Sequence, residues 1–268
     1  VFMTQAIDHE KGSTAATDDN NHAQDAPPTG TTATIPLADL VNTDPNPICL
    51  PGKQNNMILL DSFILDESIT HPPHRKIPKI IHLTSKTRCM PPDFIQNINT
   101  WRFDNYSMYI HDEAAVDRLL QKYWPEFPHL QLLQQCMISG VAKADLWRYL
   151  VLWEYGGIYT DIDNAPGPKF ENATVITDDT DSWFVVESSG IMSQYVMAAT
   201  PKHPFMYICV MHCLERLLGV AQVGTQDFPY VTGSGVVKSA MTRFMNAQND
   251  ENKPYQNVSA GHYISEGN

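Results

Sequence analysis

The sequence of 268 residues lacks several features that would assign it to a class directly. It contains no apolar run of the roughly 18 residues that a membrane span needs, and its longest candidate, 204–223, is interrupted by Glu215 and Arg216. No transmembrane helix is therefore expected within it. Basic residues are scarce, with 18 Lys and Arg against 30 Asp and Glu, which gives a net charge of −12. This balance argues against nucleic acid or an anionic membrane as the main partner.

The five cysteines have no spacing that is typical of a metal site. They form neither a CxxC pair nor a zinc-ribbon pattern, and they stand at Cys49, Cys89, Cys136, Cys209 and Cys213. The last two flank a histidine on a predicted helix, and an accident of packing explains that trio better than a metal site does. An odd number leaves at least one thiol unpaired in an oxidising compartment.

Large apolar residues are also scarce near the N-terminus. In residues 1–47, seven acids face a single base, Lys11. Such a composition cannot bury enough surface to offset the entropy of ordering, so we expect residues 1–70 to form a disordered acidic stem or tail. The folded domain is then expected over residues 71–268. Because the sequence begins at Val1, a membrane anchor or signal would lie upstream of it.

The strongest pattern in the chain is the stretch 142–164, which reads AKADLWRYLVLWEYGGIYTDIDN. Its first part has apolar residues three and four apart, which predicts a helix as far as Tyr155. The glycine pair at 156–157 then ends the helix, because glycine adopts left-handed conformations readily. The β-branched and aromatic run that follows predicts a strand that leads into an Asp-x-Asp motif at 161–163.

Strand periodicity places Tyr159, Asp161 and Asp163 on one face. Two carboxylates on one face are costly unless a positive charge lies between them, and a hard divalent cation such as Mg²⁺ or Mn²⁺ suits oxygen ligands. On the helix, Asp145 and Arg148 are three residues apart and share a face. The acid could bind sugar hydroxyls, and the guanidinium a phosphate or sugar oxygen.

Each of these features has a simpler explanation when it is taken alone. A lone Asp-x-Asp is common, and Asp145 with Arg148 could be a surface ion pair worth less than ~1 kcal/mol. An EF-hand interpretation of the acids fails, because Pro166 stands where that loop requires glycine and Asn172 where it requires an acid. The fixed order of helix, glycine pair, strand and paired acids is far more specific than any of its parts.

This order resembles the DxD-containing sugar-transferring region of glycosyltransferase family 32. The resemblance is strong from about Ile77 to Gly167, weaker to about Ala240 and absent before residue 70. It implies an α/β fold of the GT-A type, a Rossmann-like sandwich that binds a nucleotide-sugar and has a mainly parallel sheet. It also implies a retaining, divalent-metal-dependent hexosyltransferase that forms an α-linkage.

The same resemblance implies roles for the residues of the motif. Asp161 and Asp163 would hold Mn²⁺ or Mg²⁺, which neutralises the departing diphosphate. Asp145 and Arg148 would hold the sugar hydroxyls and orient the reacting carbon, so that these four residues form the predicted catalytic set. Tyr159 shares the face of the two acids and would touch the donor.

Further positions are predicted to bind the donor or the acceptor. His82 belongs to the first strand of the domain, whose carboxyl end borders the nucleotide in the family, although a core histidine is the simpler interpretation. Gly233 and Ser234 belong to a loop before a helix, whose backbone amides could bind an anion or a sugar hydroxyl. Glu187 is a weak candidate for the acceptor side. The late His262 matches the diphosphate-side residue of related enzymes poorly, which leaves a truncated C-terminus open.

The donor that the resemblance favours is GDP-mannose, with UDP-sugars left open, and the acceptor would be a glycan or a glycolipid. The expected location is the Golgi or another secretory lumen, with attachment to a membrane only through an anchor outside this sequence. Sequons at Asn105, Asn172 and Asn257 are compatible with that location. Two other classes stay open: a catalytically inactive sugar-binding relative and a metal-dependent phosphohydrolase, which lacks support from any second cluster of His and Asp.

Overall fold

A computed structural model describes residues 33–42, 49, 57–64, 74–134, 137, 139–187, 192–223, 228–248 and 262–265. Its strands are β1 (Ile58–Leu59), β2 (Phe63–Ile64), β3 (Ile80–Thr84), β4 (Cys89–Met90), β5 (Ser107–His111), β6 (Gly157–Thr160), β7 (Ser182–Val186), β8 (Met192–Ala199) and β9 (His262–Ser265). Its helices are α1 (Leu37–Val41), α2 (Pro92–Thr100), α3 (Glu113–Leu120), α4 (Leu130–Gln134), α5 (Gly140–Tyr155), α6 (Pro204–Val223), α7 (Phe228–Val231) and α8 (Ser234–Gln248), with a 3₁₀ helix at Pro168–Ala173.

Seven of the strands form one mixed sheet in the order β2-β5-β3-β6-β8-β7-β9. The pairs β3–β5, β3–β6 and β7–β9 are parallel, and β2–β5, β6–β8 and β7–β8 are antiparallel. The predicted α/β architecture is confirmed, with a mixed sheet where a mainly parallel one was expected. The difference arises because β7 and β8 follow each other closely in the chain, and a short connection can join only antiparallel neighbours.

Two hydrophobic cores lie on opposite faces of this sheet, because neighbouring residues of a strand point to opposite sides. In β6, Ile158 belongs to one core and Tyr159 to the other; in β7, Trp183 and Phe184 divide in the same way. The core that contains Tyr159 also contains the buried faces of α3, α5, α6 and α8. The residue that follows β6 on this face, Asp161, is therefore directed towards helix α5.

Two glycines make the turn from α5 into β6, as the sequence predicts. Gly156 has φ 65° and Gly157 has φ 100°, both in the region that favours glycine. A Cβ on Gly156 would lie 2.6 Å from Cδ of Pro201, and a Cβ on Gly157 would lie 2.6 Å from the carbonyl oxygen of Ile80. Conformation and space both require glycine here, and the turn brings β6 directly beside β3.

Residues 33–42 are ordered, which corrects the expectation that all of 1–70 is a disordered stem. In this segment α1 buries Leu40 completely, and the hydroxyl of Tyr155 donates to the carbonyl of Ile35 at 2.6 Å. The average composition of residues 1–47 does not reveal that a short segment within it packs against the domain through a few apolar side chains. Most of the remaining stretch lies outside the described residues, and there the expectation stays a prediction.

A disulfide joins Cys49 to Cys89 across 40 residues. Cys209 and Cys213 are free and fully buried on α6, while Cys136 lies outside the described residues. No helix in the described part of the chain is both long enough and apolar enough to span a bilayer.

Replacing Gly157 by alanine should destabilise the fold by at least about 2 kcal/mol, since the new Cβ meets a backbone carbonyl and φ is unfavourable. The midpoint of thermal unfolding should fall by roughly 5 °C or more. Gly167→Ala is the matched control, because nothing lies within 4 Å of its Cβ position. Equal midpoints for the two variants would contradict the role assigned to the turn.

Candidate functional site

The site begins where strand β6 ends. Asp161 follows β6 directly, and its Oδ1 accepts a hydrogen bond from the hydroxyl of Tyr159. The same oxygen lies 3.4 Å from Nη1 of Arg148 on α5. The prediction that Tyr159 and Asp161 share a face is therefore confirmed. Asp163 lies in the turn beyond, where its side chain is exposed and its carbonyl oxygen accepts from the amide of Asn97 at 3.3 Å.

Arg148 lies between two carboxylates. Its Nη2 is 2.8 Å from Oδ1 of Asp145, its Nη1 is 3.4 Å from Oδ1 of Asp161, and its guanidinium lies 4.8 Å from the centre of the Tyr159 ring. Asp145 is 3% exposed and Arg148 is 7% exposed, so this is a buried pair and the surface-pair alternative is excluded. Between Asp145 and Asp161 the protein itself supplies the positive charge, whereas the cation predicted between Asp161 and Asp163 stays a prediction.

Asp145 is held by polar side chains from two other parts of the chain, at Gln194 and Thr232. Its Oδ2 accepts from the hydroxyl of Thr232 at 2.6 Å, and its Oδ1 accepts from Nε2 of Gln194 at 3.3 Å. The other end of that amide, Oε1, accepts from the hydroxyl of Tyr149 at 2.8 Å. The backbone carbonyl of Gln194 also accepts from Arg148 at 3.2 Å. The network ties α5 to β8 and to the loop before α8.

Sequence reasoning did not find Tyr149, Gln194 or Thr232 as parts of this site. A weak signal was present, because Gln194 is a polar residue in a mainly apolar strand and Thr232 precedes the glycine of the predicted loop. Nothing in the spacing indicates that Gln194 and Thr232 contact Asp145, since they are 49 and 87 positions away from it, respectively.

Burial disfavours the ionised form of both Asp145 and Asp161. It raises the pKa of Asp145, against the opposing effects of Arg148, Thr232 and Gln194. It also raises the pKa of Asp161, and Arg148 and the Tyr159 hydroxyl oppose that rise. Burial disfavours the charge on Arg148 too, but the electron-rich groups around the guanidinium outweigh it and raise its pKa above the ordinary range. Arg148 is therefore the fixed charge on which both acids depend.

Ser234 is the first residue of α8 and lines a cavity beside this network, while Gly233, in the loop before α8, has a packing role. A Cβ on Gly233 would lie 2.9 Å from Cα of Pro229 and 3.1 Å from Nε2 of Gln194. The carbonyl of Gly233 faces the hydroxyl of Tyr149 at 3.3 Å. Glycine is thus required by the close approach of the loop to the Asp145 network. Donor binding by its amide stays a prediction.

A cavity of about 410 Å³ opens beside this network. Five of the residues singled out in the sequence line it, from four different elements or their ends: Asp145, Arg148, Asp161, Glu187 and Ser234. The start of α5, strand β8 and helix α7 complete its wall. The cavity is in the size range of small-molecule sites, and the residues that line it are mainly polar.

His82 does not belong to the cavity, and its predicted donor-binding role is corrected. The side chain has no exposed surface; Nδ1 lies 3.2 Å from Nε2 of His111, and Nε2 lies 2.9 Å from the carbonyl oxygen of Gly156. Burial lowers the pKa of His82 to about 4, so the ring is neutral at physiological pH. The reason is its position on β3, which is paired on both sides inside the sheet.

Tyr159 is likewise fully buried and lies behind Arg148 and Asp161, without lining the cavity. Its predicted contact with a donor is replaced by support for the two charged side chains. Its hydroxyl donates to Asp161, and burial raises its pKa well above the ordinary value, so it stays a donor at neutral pH.

The chemistry of Asp161 and Asp163 fits a hard divalent cation. The described contacts of Asp161 involve Oδ1, which leaves Oδ2 available, and Asp163 is exposed. No group of three or more His, Cys, Asp and Glu side chains in the described residues is arranged to hold a metal. A cation held by one or two carboxylates that completes its shell with water and substrate phosphates is the usual form of Mg²⁺ binding in enzymes.

Replacing Arg148 by methionine should destabilise the fold by about 3 kcal/mol at pH 7.5, because the buried carboxylate of Asp145 and the partly exposed one of Asp161 lose their counter-ion. The pKa values of Asp145 and Asp161, already raised, would rise further. A folded-state pKa above the unfolded value favours the folded state at low pH, and that advantage is lost as pH rises through the folded pKa. The deficit should therefore be smaller at pH 5, as measured by urea unfolding at both pH values.

The matched control for this experiment is the double variant Arg148→Met with Asp145→Asn, which removes one of the stranded charges. It should be more stable than the single variant at pH 7.5 and differ little from it at pH 5. A loss below about 1 kcal/mol that is independent of pH would show that Arg148 contributes no more than a surface ion pair does.

Comparison with known proteins identifies the central part of the chain. Residues 76–183 match a family model described as a glycosyltransferase sugar-binding region containing a DXD motif. This range contains α5, the glycine turn, β6 and the acids that follow. The match thus covers the elements that carry Asp145, Arg148 and Asp161.

Curated relatives are mannosyltransferases by name. The chain is 27% identical over 182 residues to inositol phosphoceramide mannosyltransferase 1 of Schizosaccharomyces pombe, a match that covers 62% of this chain and 52% of that protein. It is 30% identical over 109 residues to the initiation-specific alpha-1,6-mannosyltransferase of Candida albicans, covering 38% and 27%. The chain thus spans about half or less of the length of these relatives.

Among solved structures, the PaToxG glycosyltransferase is 19% identical, with a TM-score of 0.48 over 67% of this chain and 72% of that one. This likeness is too loose to support an argument about the site. The match of residues 76–183 and the relatives confirm the resemblance that the sequence indicates. Residues 76–183 of the chain thus have the sequence of a DxD-containing sugar-binding region of glycosyltransferases.

Proposed function

We propose that this chain is a retaining, divalent-metal-dependent glycosyltransferase that moves a hexose from a nucleotide-sugar to a glycan or glycolipid acceptor. The observation that carries the proposal is the charged group formed by Asp145, Arg148 and Asp161. The group lines a cavity, and its three residues belong to the range that matches the family model. The hydrogen bonds that Asp145 accepts from Gln194 and Thr232 distinguish this pair from an ordinary surface ion pair. The mannosyltransferase names of the relatives favour mannose as the sugar.

The charge of the cavity supports the proposed metal dependence. Among the described residues, its lining has the carboxylates of Asp145, Asp161 and Glu187 but a single cation, Arg148, which is already bound to two of them. The diphosphate of a nucleotide-sugar is itself negative and would be repelled by such a wall. Asp161 and Asp163 would hold Mn²⁺ or Mg²⁺, which offsets the charge of the diphosphate as it departs.

The protein's own side chains orient the sugar in this proposal. Asp145 is fixed by Thr232 and Gln194, and Arg148 is fixed by Asp145, Asp161 and the carbonyl of Gln194. Charged and hydrogen-bonding side chains that are already fixed before the substrate binds need no reorganisation during the reaction. Such pre-positioned groups lower the activation barrier. Ser234, at the rim of the same cavity, is in place to bind a sugar hydroxyl. Retention and an α-linkage are carried over from the family resemblance.

GDP-mannose is the proposed donor, and a UDP-sugar is the alternative within the same family. The proposed location is the Golgi or another secretory lumen, as part of a membrane-anchored protein. The disulfide between Cys49 and Cys89 supports an oxidising compartment, since such bonds rarely persist in the cytosol.

Calorimetric titration tests the proposal. GDP-mannose, UDP-glucose, UDP-galactose and UDP-N-acetylglucosamine are each titrated with Mn²⁺ and with EDTA. We expect one donor to bind in Mn²⁺ and to lose at least about tenfold in affinity in EDTA or in the Asp163→Ala variant, because one of two cation-holding carboxylates is absent. Slow hydrolysis of that donor would separate a transferase from an inactive sugar-binding relative.

Asp179→Ala is the matched control, because Asp179 is also exposed and lies outside the cavity. It should bind the donor as the unaltered protein does. Binding that persists in EDTA and in Asp163→Ala would refute the metal assignment. A folded protein that binds none of the four donors would refute the donor proposal, and rapid hydrolysis of simple phosphate esters would favour a phosphohydrolase.

A further inference from the structure

We propose that Asn97 and Asn164 are positioning residues for the divalent cation. Their side-chain amides fix the backbone of the turn 161–164, and this sets the carboxylates of Asp161 and Asp163 before a cation binds. The role rests on the proposed metal dependence and adds to it two residues that lie outside the Asp-x-Asp motif. Neither asparagine lines the cavity, so each acts through the acids rather than on the substrate.

The turn that carries the two acids is closed by a long hydrogen bond. The amide of Asn164 donates to the carbonyl of Asp161 at 3.3 Å. Asp163 is exposed, so the position of its carboxylate depends on the backbone that carries it. In the absence of a cation, two carboxylates this close in sequence repel each other. Bonds from outside the turn would hold the two acids in one arrangement against this repulsion.

Helix α2 supplies such bonds on one side of the turn. Nδ2 of Asn97 donates to the carbonyl of Asp163 at 3.3 Å. Nε1 of Trp101, which follows the helix, donates to the carbonyl of Asn164 at 3.0 Å. Asn97 and Trp101 are four positions apart, which is the spacing of neighbours on one helix face. Trp101 is 1% exposed, and its ring centre lies 5.7 Å from that of Phe170, so this face of α2 is anchored in the core.

Strand β8 holds the turn from the other side. The carbonyl oxygen of Tyr195 accepts from the amide of Asp161 at 2.9 Å, which continues the antiparallel pairing of β6 with β8 beyond Thr160. The same oxygen accepts from Nδ2 of Asn164 at 3.2 Å. Because Tyr195 also lines the cavity, these bonds fix the turn to a strand that forms part of the cavity wall.

The chemistry of the two asparagines suits a turn that has to bind a cation. Asn97 and Asn164 donate to backbone carbonyls and leave the carboxylate oxygens of the acids for a metal. A lysine or arginine in their place would bring a positive charge that competes with the cation, whereas an amide donates without a charge. Ligands that are oriented by surrounding hydrogen bonds bind a metal more tightly than ligands that have to be ordered on binding.

Titration of the full chain with Mn²⁺ alone, followed by the EPR signal of free Mn²⁺, tests this role. Asn97→Ala and Asn164→Ala should each lower the affinity for Mn²⁺ about fivefold, because each removes a hydrogen bond that orders the turn. The two changes together should lower it at least about tenfold. Asn97→Gln keeps an amide donor and should recover most of the loss.

Asn99→Ala is the matched control, because Asn99 is an exposed asparagine of the same helix and its replacement brings the same gain in helix propensity. It should bind Mn²⁺ as the unaltered chain does. The thermal midpoints of Asn97→Ala and Asn99→Ala should agree within about 2 °C, which separates a loss of affinity from a loss of stability. Equal Mn²⁺ affinities in the Asn97, Asn164 and Asn99 variants overturn the inference.

A double-mutant cycle with Asp163→Ala separates positioning from a general structural role. If Asn97 acts through Asp163, then Asn97→Ala should change the affinity less than about twofold once that carboxylate is absent. An undiminished loss in the Asp163→Ala background overturns the assignment of Asn97.

Hydrogen exchange in EDTA gives a readout that needs no metal. Peptides that contain residues 161–164 should exchange faster in Asn164→Ala than in the unaltered chain, because the turn opens more often, and they should be unchanged in Asn99→Ala. Exchange that is the same in all three proteins overturns the role of Asn164.

Failure of this role and failure of the proposed function give different results. Mn²⁺ binding that persists at full strength in both asparagine variants leaves the metal dependence standing and removes the positioning role. A folded, unaltered chain that binds no Mn²⁺, alone or with GDP or UDP, refutes the metal dependence itself and the positioning role with it.

Discussion

The rest of the site depends on the guanidinium of Arg148. It compensates two carboxylates that come from different elements, Asp145 on the same helix and Asp161 beyond the next strand. Each of these acids is taken out of water at a cost that only a close opposite charge offsets. Because Arg148 also donates to the carbonyl of Gln194, it fixes α5 against β8 as well as against the end of β6. One side chain thus sets the relative positions of three elements.

This arrangement is possible because the connection between α5 and β6 is very short: α5 ends at Tyr155 and β6 begins at Gly157. Gly156 and Gly157 allow the chain to reverse while Pro201 and Ile80 approach their backbones to distances that a Cβ would not permit. Helix and strand therefore lie next to each other, and Arg148 near the middle of the helix reaches the acid that follows the strand. A longer connection would separate Arg148 from the carboxylate that it compensates.

The contiguity of these elements explains what the sequence could predict. Helix, turn, strand and acids occupy the single stretch 142–164, and their periodicity and order are visible without tertiary information. The partners of Asp145 could not be predicted in this way, because Gln194 and Thr232 reach it only after β8 and α8 have packed. The error over His82 has the same cause: whether a polar residue in an apolar strand faces a cavity or a buried partner depends on His111, which arrives on the neighbouring strand.

Arg148 is the one cation among the described residues that line the cavity, and its charge stabilises the acids of the site itself. Any anionic group that binds there has to bring positive charge with it, which is the physical reason why the exposed acid Asp163 and the available oxygen of Asp161 suit a divalent cation. The buried pair that gives the site its shape therefore also limits what it can accept.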